Sequence, residues 1–518
     1  LALLVGACRE AARARGWPPP PSPWLPPLPD LLPVADLPAC GAVVLGLVDE
    51  PDEQRRTPLT YDPSFDGSLL IAGGQRSGRT TALRTLLAGL AGYTADELHV
   101  HLLDCAGGGI PAAAFPHCGT TVGRDDTARG SRLLTRLVDE LDARRRRLAA
   151  AGLGSLVEWR GTDRPPQLVL VLDGWEGFVQ AYEPVDTGRP VEQLLRLARE
   201  GAAAGIVVVA TSDRNGLGIR LAGVMSRRIV LPLTDRADYP LAGIPARLVP
   251  TRLPPGRGLL PGTDQECQVA IVGDDASGAA QNAALAVVAA RCTPPSRHRP
   301  LRIAALPSRV CLDELPRGTP RRPWLGVGGD DAAPIALDLD ALGSAILLAG
   351  PPRSGRTSTL TALAEGLVVG ETSVAVVTAR RSPLRTVPGL RLAVGTSAED
   401  AQRLREAADL VVLADDIEAL LDTPVEAALI ELVRADGGST VIGAGRTDDL
   451  AGAFRGLGVE LRRRRTGVLL CPSPPDGELL GIRLPRGLPE RDPGRGWLVA
   501  DGTTTRIQVA TPGAGRTP

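Results

Sequence analysis

The chain repeats itself. Residues 67 to 91, GSLLIAGGQRSGRTTALRTLLAGLA, are matched by residues 344 to 368, SAILLAGPPRSGRTSTLTALAEGLV, with Gly73 answering to Gly350. Each copy has a similar lead-in, GLVDEPDEQRRTPLTYD from Gly46 and GVGGDDAAPIALDLD from Gly326. Each also has a similar ending, PPGRGLLPGTDQECQVA and DPGRGWLVADGTTTRIQVA, in which a Pro-Gly-Arg-Gly turn leads into a strand-like Gln-Val-Ala. A repeat on this scale predicts two domains of one kind, and 518 residues are too many for one ordinary core.

Copy two is the shorter, since Gly78 to Asp173 spans 95 residues and Gly355 to Asp415 spans 60. The segment expected to be lost is TARGSRLLTRLVDELDARRRRLAAAG, in which Leu134, Leu137, Leu141 and Leu148 recur at helical spacing. Its Arg144 to Arg147 read as a solvated run on a long surface helix, with a partner or nucleic-acid contact as the alternative. WPPPPSPWLPPLPDLLP (residues 17 to 33) reads as a stiff extended connector, and RCTPPSRHRP (291 to 300) as a second one. The expected organisation is an upstream helix and connector over 1–40, a first domain over 41–295 and a shorter second domain over 296–518. The chain opens at Leu1 with a helix-like stretch already under way, so upstream sequence is expected, and a membrane anchor could lie there.

Hydrophobic residues make up 43% of the chain but aromatics only 3%, so the core is expected to consist of Leu, Val, Ala and Ile, as in buried parallel sheets. That favours an α/β fold. All 58 basic residues are arginine, yet the formal charge is −1, which excludes a global basic field for nucleic acid. Cys8, Cys40, Cys105, Cys118, Cys267, Cys292, Cys311 and Cys471 form no CxxC pair and no zinc-ligand spacing, and read as free thiols in a reducing cytoplasm. No apolar run approaches the ~18 residues of a membrane helix.

Gly73-Gly74-Gln75-Arg76-Ser77-Gly78-Arg79-Thr80, continued by Thr81, follows the pattern G-x-x-x-x-G-K-[ST] with arginine in the lysine position. Gly350-Pro351-Pro352-Arg353-Ser354-Gly355-Arg356-Thr357, continued by Ser358, does the same. Each stretch sits between an apolar strand and a helical pattern, where successive backbone N–H groups and the helix N-terminus would cradle the phosphates of ATP. Arginine keeps the charge but replaces a compact ammonium with a planar fork, so weak hydrolysis is expected. LVLVLDGWEGF puts Asp173 at a strand end and DLVVLADDIEAL puts Asp415 there; with Thr80 and Thr357 these are the expected Mg2+ ligands. Gly174 stands where a catalytic acid would follow Asp173, and Glu176 is expected to face elsewhere; in copy two Asp416 is the candidate acid. Thr211, Arg214 and Arg446 end the next strands and are candidates for sensing the nucleotide. Arg227, Arg228 and the run Arg462 to Arg465 precede further strands. They read as solvated charge, with reach to a neighbouring subunit's phosphate as the alternative.

PWLPPLP (23 to 29), GLVDEPDEQRRTPL (46 to 59), LLDCAGGGI (102 to 110), VLDGW (171 to 175), TARRSPL (378 to 384) and the two GRG endings give the chain its likeness. It resembles the FtsK/SpoIIIE superfamily, and most closely the EccC ATPases of type VII secretion. The resemblance implies two tandem RecA-like P-loop NTPase domains with mainly parallel sheets, binding ATP and Mg2+. It also implies the last two of three ATPase modules in the cytoplasmic portion of an inner-membrane-anchored protein. Those two are often degenerate in the family, holding nucleotide with little turnover, and the last binds a C-terminal signal on secreted protein cargo. A homo-hexamer or nucleotide-dependent oligomer goes with that reading. The alternative is a fragment of a DNA translocase motor, against which the neutral charge speaks, because tracking a phosphate backbone needs a positive channel.

Overall fold

Residues 168–172 and 206–210 are continuous apolar runs inside the strands Gln167–Asp173 and Ile206–Ser212, in which every residue is buried, the pattern of strands covered on both faces. They lie side by side within the parallel half of a ten-stranded sheet in a computed structural model of the chain, which describes all residues except 19–24, 39, 264, 295–296, 436–437, 487–491 and 514–518. Part of the proline-rich stretch and the expected break near residue 296 therefore lie outside the described residues. The chain forms two compact units, one within Leu1–Leu301 and one over Arg302–Pro518, to which Thr127–Leu133 and Glu183–Arg189 are also assigned.

The strands of the first module are β1 (Val43–Glu50), β2 (Arg55–Tyr61), β3 (Leu69–Ala72), β4 (Leu98–Asp104), β5 (Cys118–Gly123), β6 (Gln167–Asp173), β7 (Ile206–Ser212), β8 (Arg227–Val230), β9 (Arg257–Leu259) and β10 (Glu266–Val269). Their order is β2-β1-β10-β9-β8-β3-β7-β6-β4-β5. From β8 to β5 all pairings are parallel, and from β2 to β8 all are antiparallel. Its helices are α1 (Ala2–Ala14), α2 (Arg79–Leu90), α3 (Thr127–Ala151), α4 (Trp175–Tyr182), α5 (Arg189–Glu200), α6 (Ile219–Ala222) and α7 (Gly278–Ala289).

The second module has β11 (Trp324–Gly328), β12 (Ala333–Ala336), β13 (Ala345–Gly350), β14 (Val374–Thr378), β15 (Leu392–Val394), β16 (Val411–Asp415), β17 (Thr440–Arg446), β18 (Gly467–Leu470), β19 (Arg495–Ala500) and β20 (Thr503–Val509). Their order, β12-β11-β20-β19-β18-β13-β17-β16-β14-β15, repeats that of the first module strand for strand. Its helices are α8 (Leu339–Leu342), α9 (Arg356–Val369), α10 (Ala398–Glu406), α11 (Pro424–Ala435), α12 (Thr447–Gly452) and α13 (Leu457–Arg463). The fold is thus a tandem of α/β P-loop modules, each with a parallel half that carries the phosphate loop and an antiparallel extension.

Three expectations need correction. The helix expected to be missing from copy two is shortened instead: α10 occupies the crossover between β15 and β16 that α3 occupies between β5 and β6, with 9 residues in place of 25. The run Arg144 to Arg147 is not uniformly solvated. Arg144 is buried at 4% exposure, where its guanidinium donates to Glu140 and to the Ala204 and Gly205 carbonyls, while Arg147 pairs with Asp163 and lies over the Trp159 ring. A buried guanidinium needs such acceptors, because it cannot shed its charge.

The proline-rich stretch is more than a connector. From Pro26 onward it lies along the sheet as a strap: Arg257 Nη2 donates to Leu28 O at 2.7 Å and Pro29 O at 3.4 Å, and Ile271 N donates to Leu32 O at 2.8 Å. Val34 N returns a bond to Ile271 O at 2.9 Å, and Leu28 and Leu32 are buried. The second module has the same strap, in which Arg495 Nη2 donates to Leu306 O and Pro307 O, and Thr511 N and Leu312 N repeat the two backbone bonds. The arginine of each Pro-Gly-Arg-Gly turn is therefore a clamp on the segment that precedes its own module. Among the described residues no helix is long and apolar enough to cross a membrane, and none of the eight cysteines is in a disulfide.

Candidate nucleotide-binding sites

In the first module the loop from Gly73 to Thr80 joins β3 to α2 and is braced on both sides. Gly73 N donates to Ser212 O at the end of β7, Gly74 N to Pro232 O beyond β8, and Gly256 N of the Pro-Gly-Arg-Gly turn to Ser77 O. Arg76, on the exposed crest with Gln75, holds a left-handed backbone (φ 57°), and so does Arg353 of the second loop (φ 65°). Thr81 lies in the first turn of α2, 3.5 Å from Gln281 Nε2 on α7. Thr80 Oγ1 donates to Asp173 Oδ2 at 3.1 Å and Thr211 Oγ1 to Asp173 Oδ1 at 2.6 Å, so three of the residues singled out from the sequence meet. Burial pushes the Asp173 carboxyl above its ordinary pKa, and the bonds from Thr211 and Thr80 oppose that shift.

The stretch after β4 folds over this carboxylate. Asp104 accepts the N–H groups of Gly107, Gly108 and Gly109 at 2.8 to 3.0 Å, and Arg84, itself buried, donates to Gly108 O. A Cβ at Gly108 would lie 2.7 Å from Asp173 Oδ2 and 2.8 Å from Thr80 Cγ2, so only glycine leaves room beside the two groups.

The acid question resolves differently from the sequence expectation. Residue 174 turns the chain with φ 89°, and α4 then starts so that Glu176 points back to β7. Its Oε1 accepts from Ser212 Oγ and from Asp213 N, and its Oε2 lies 4.0 Å from Arg79 Nη1. Glu176 thus faces the phosphate loop, where burial raises its pKa. Glu418 stands in the same place after Asp415, with a buried Oε2 that has no hydrogen-bond partner. The spacing Asp-x-x-Glu, present in both copies, was the signal that could have found both.

The second loop is built alike but closed differently. Thr357 Oγ1 donates to Asp415 Oδ2 at 3.0 Å, Ser382 Oγ donates to the same oxygen at 3.1 Å, and burial raises the Asp415 pKa. Ser382 was not anticipated; it takes the position that the Gly108 stretch occupies in the first module. Arg356 Nη1 donates to Gly350 O at 2.5 Å and Pro351 O at 3.3 Å, while Nη2 donates to Asp416 Oδ1 at 3.1 Å. The guanidinium is folded into its own loop and held there by the residue singled out as the candidate acid, whose backbone is left-handed (φ 49°). Pro352, Arg353 and Ser358 are exposed around it.

The remaining candidates are placed as follows. Arg214 pairs with Asp238 and Arg446 with Asp449, both at exposed positions. Arg227 and Arg228 pair with Leu69 and Leu70 at the amino-terminal end of β3, opposite to the phosphate loop, and Arg227 is held by Asp66. Arg462, Arg463 and Arg464 are engaged within their module by Ala453 O, Glu460 and Val433 O, and Arg465 follows in a left-handed conformation.

The first site fits a nucleotide by its own chemistry. Arg79 Nη1 and Ser77 Oγ are buried without a hydrogen-bond partner, and they border a cavity of about 550 Å³ that runs from the loop to Asp30, Leu31, Arg252 and Pro255. Buried polar atoms are normally satisfied, so unpaired donors at a phosphate loop mark a place for an anion. Residues 44–244 match the FtsK/SpoIIIE family. The first module is an FtsK/SpoIIIE domain. Membership of this P-loop family carries nucleotide binding with it.

Relatives of this chain include type VII secretion proteins. ESX secretion system protein YukB of Bacillus subtilis is 24% identical over 540 residues, covering 94% of this chain and 35% of that protein. ESX secretion system protein EccC of Thermomonospora curvata is 26% identical over 522 residues, covering 90% and 39%. ESX-4 secretion system protein EccC4 of Mycobacterium tuberculosis is 34% identical over 229 residues, covering 42% and 18%. The chain thus spans less than half the length of these relatives. Among solved structures, ATPases 2 and 3 of EssC from Geobacillus thermodenitrificans superpose with a TM-score of 0.69 at 20% identity, covering 94% of this chain and all of that one. ATPases 2 and 3 of Thermomonospora curvata EccC, solved in complex with a signal sequence peptide, superpose with a TM-score of 0.61 at 23% identity, covering 95% and 97%. These likenesses establish the tandem fold.

Proposed function

We propose that the chain is the nucleotide-binding tandem of a type VII secretion ATPase, in which the first module takes ATP·Mg2+ and the second acts in regulation and cargo recognition, with little turnover in either. The observation that carries this is the contrast between the two arginines: Arg79 Nη1 donates no hydrogen bond and lies 4.0 Å from Glu176 beside the cavity, whereas Arg356 donates to two carbonyls of its own loop and to Asp416. Thr80 with Asp173, and Thr357 with Asp415, would hold Mg2+, which when bound supplies charge neutralisation across the β- and γ-phosphates. Weak hydrolysis follows from the residues after the two aspartates. Position 174 carries no acid, Glu176 is held by Ser212 and Asp213 N, and Asp416 is engaged by Arg356.

The second module is the one we propose to recognise cargo. A cleft of about 700 Å³ there is lined by Glu418, Leu421, Asp448, Asp449 and Phe454, and Phe454 is 96% exposed. An exposed aromatic beside an acidic cleft suits a peptide with an apolar anchor, and the signal peptide bound to the related EccC tandem supports that occupant. In the longer protein the tandem would follow an upstream ATPase module and a membrane region, within a nucleotide-dependent oligomer.

Calorimetric titration of the whole chain with ATP·Mg2+ tests the reading. One tight step is expected, lost in Arg79→Ala, and pull-down of secreted helical-hairpin proteins is expected to be lost in Phe454→Ala. No ATP binding would overturn it, and duplex binding with a steep salt dependence would move the assignment to a DNA translocase.

A further inference from the structure

The cavity of the first module has two ends of different chemistry. One end is the phosphate loop. The other is bounded by Asp30 and Leu31 of the strap and by Arg252, Pro254 and Pro255. Asp30 and Leu31 lie between the buried anchors Leu28 and Leu32, and they stay open, with Leu31 46% exposed. Their backbone is fixed by Arg257, which is buried and bonded to the two preceding carbonyls, and by Gln268 Nε2, which donates to Asp30 O at 3.4 Å. The same turn that supplies Arg257 also supplies Gly256, whose N–H donates to Ser77 O of the phosphate loop at 2.8 Å. Strap and loop are thus tied to one rigid turn.

We propose that Asp30 and Leu31 form the nucleoside subsite of the first module. The proposal rests on the reading that this module binds a nucleoside triphosphate. A cavity of about 550 Å³ accommodates such a ligand, and pockets of this kind join apolar walls to a few oriented polar groups. Leu31 with Pro254 and Pro255 gives apolar surface for a flat base, and the Asp30 carboxylate accepts hydrogen bonds from sugar hydroxyls, as acidic residues do in other dinucleotide and nucleotide sites. In the second module the backbone bonds of the strap place Ser308 and Arg309 at the corresponding positions, so the acceptor and the apolar wall are both replaced there. The nucleoside end, and not the phosphate loop alone, then separates the ligand preferences of the two modules.

The test compares two probes on the full chain, ATP·Mg2+ and tripolyphosphate·Mg2+, in the tight calorimetric step that Arg79→Ala abolishes. Leu31→Arg, which installs the residue of the second module, and Asp30→Ala are each expected to weaken ATP at least tenfold and to leave tripolyphosphate within twofold. Without ligand, Leu31→Arg is expected to unfold at the temperature of the unaltered chain and Asp30→Ala slightly below it, having lost the 3.5 Å ion pair with Arg257 Nη2. Equal weakening of both probes, or no weakening of ATP, overturns the subsite. If the unaltered chain binds tripolyphosphate and ATP with the same affinity, the subsite is overturned while the phosphate site stands, and if it binds neither, the nucleotide reading itself fails.

Discussion

A guanidinium in a lysine position has two ways to behave, and this chain shows both. Arg356 has found three acceptors within its own module, so nucleotide must displace it. Asp416→Ala removes the charged acceptor, and a partly exposed ion pair contributes roughly 1 kcal/mol. The expected outcome is a three- to tenfold gain in second-site affinity for ATP, read as a second calorimetric step, while an unchanged or weaker second site would show that Asp416 does not hold the loop shut. At this scale the phosphate loops and Asp173 and Asp415 were legible from motif and spacing, because strand, loop and helix follow directly from the local pattern. Glu176 was not. Its orientation depends on the left-handed turn at Gly174, which restarts the chain as α4, and a strand-end argument carried past that turn aims the side chain the wrong way.

Among elements, the strap is the least legible feature. Its proline content reads as a linker, yet LPDLLPVADLP at Leu28 and LPSRVCLDELP at Leu306 are the same segment twice, each bonded to the residue just beyond the last strand of its own module, Ile271 or Thr511. Proline set the reading, because its lack of an N–H suggests a segment that pairs with nothing; the strap pairs through its carbonyls instead. Arg257→Ala would leave buried carbonyls and Gln268 without their donor, and is expected to destabilise the first module by roughly 2 to 4 kcal/mol. Urea unfolding measures the loss, and faster proteolysis near Leu28 would show that the strap lifts first. The crossover helix teaches the converse. A length difference between repeats suggested deletion, but a parallel β15–β16 connection still needs a crossover, and one built on a helix of only 9 residues suffices.

For the whole molecule, the histidines are all in the first unit, at positions 99, 101, 117 and 298. Burial holds His101 down at about 3 and His117 at about 4, and lowers His99 as well. These folded values lie below the unfolded value near 6.5, so the unfolded chain binds more protons in between and stability falls as pH drops from about 6.5 toward about 4. Each such group costs up to about 1.4 kcal/mol per pH unit in that window. Scanning calorimetry is expected to show the first module's transition falling more steeply than the second's between pH 7.5 and pH 5; parallel shifts would refute the assignment. At pH 7.5 a hundredfold excess of ATP over its Kd is expected to stabilise the first module by about 2.7 kcal/mol, with a smaller effect on the second.

The strap also fixes where a module begins. Leu28 precedes β1, and Leu306 precedes β11, by a stretch that an inspection of strands alone would assign to spacer. Halves cut at those strands would each forfeit an edge that Ile271 or Thr511 needs. Conversely, because the strap is a separate short segment, grafting one onto the other module would carry its proposed base and sugar contacts along without altering the phosphate cradle, and recombination at these points is a ready route by which duplicated modules acquire unlike tastes in ligand.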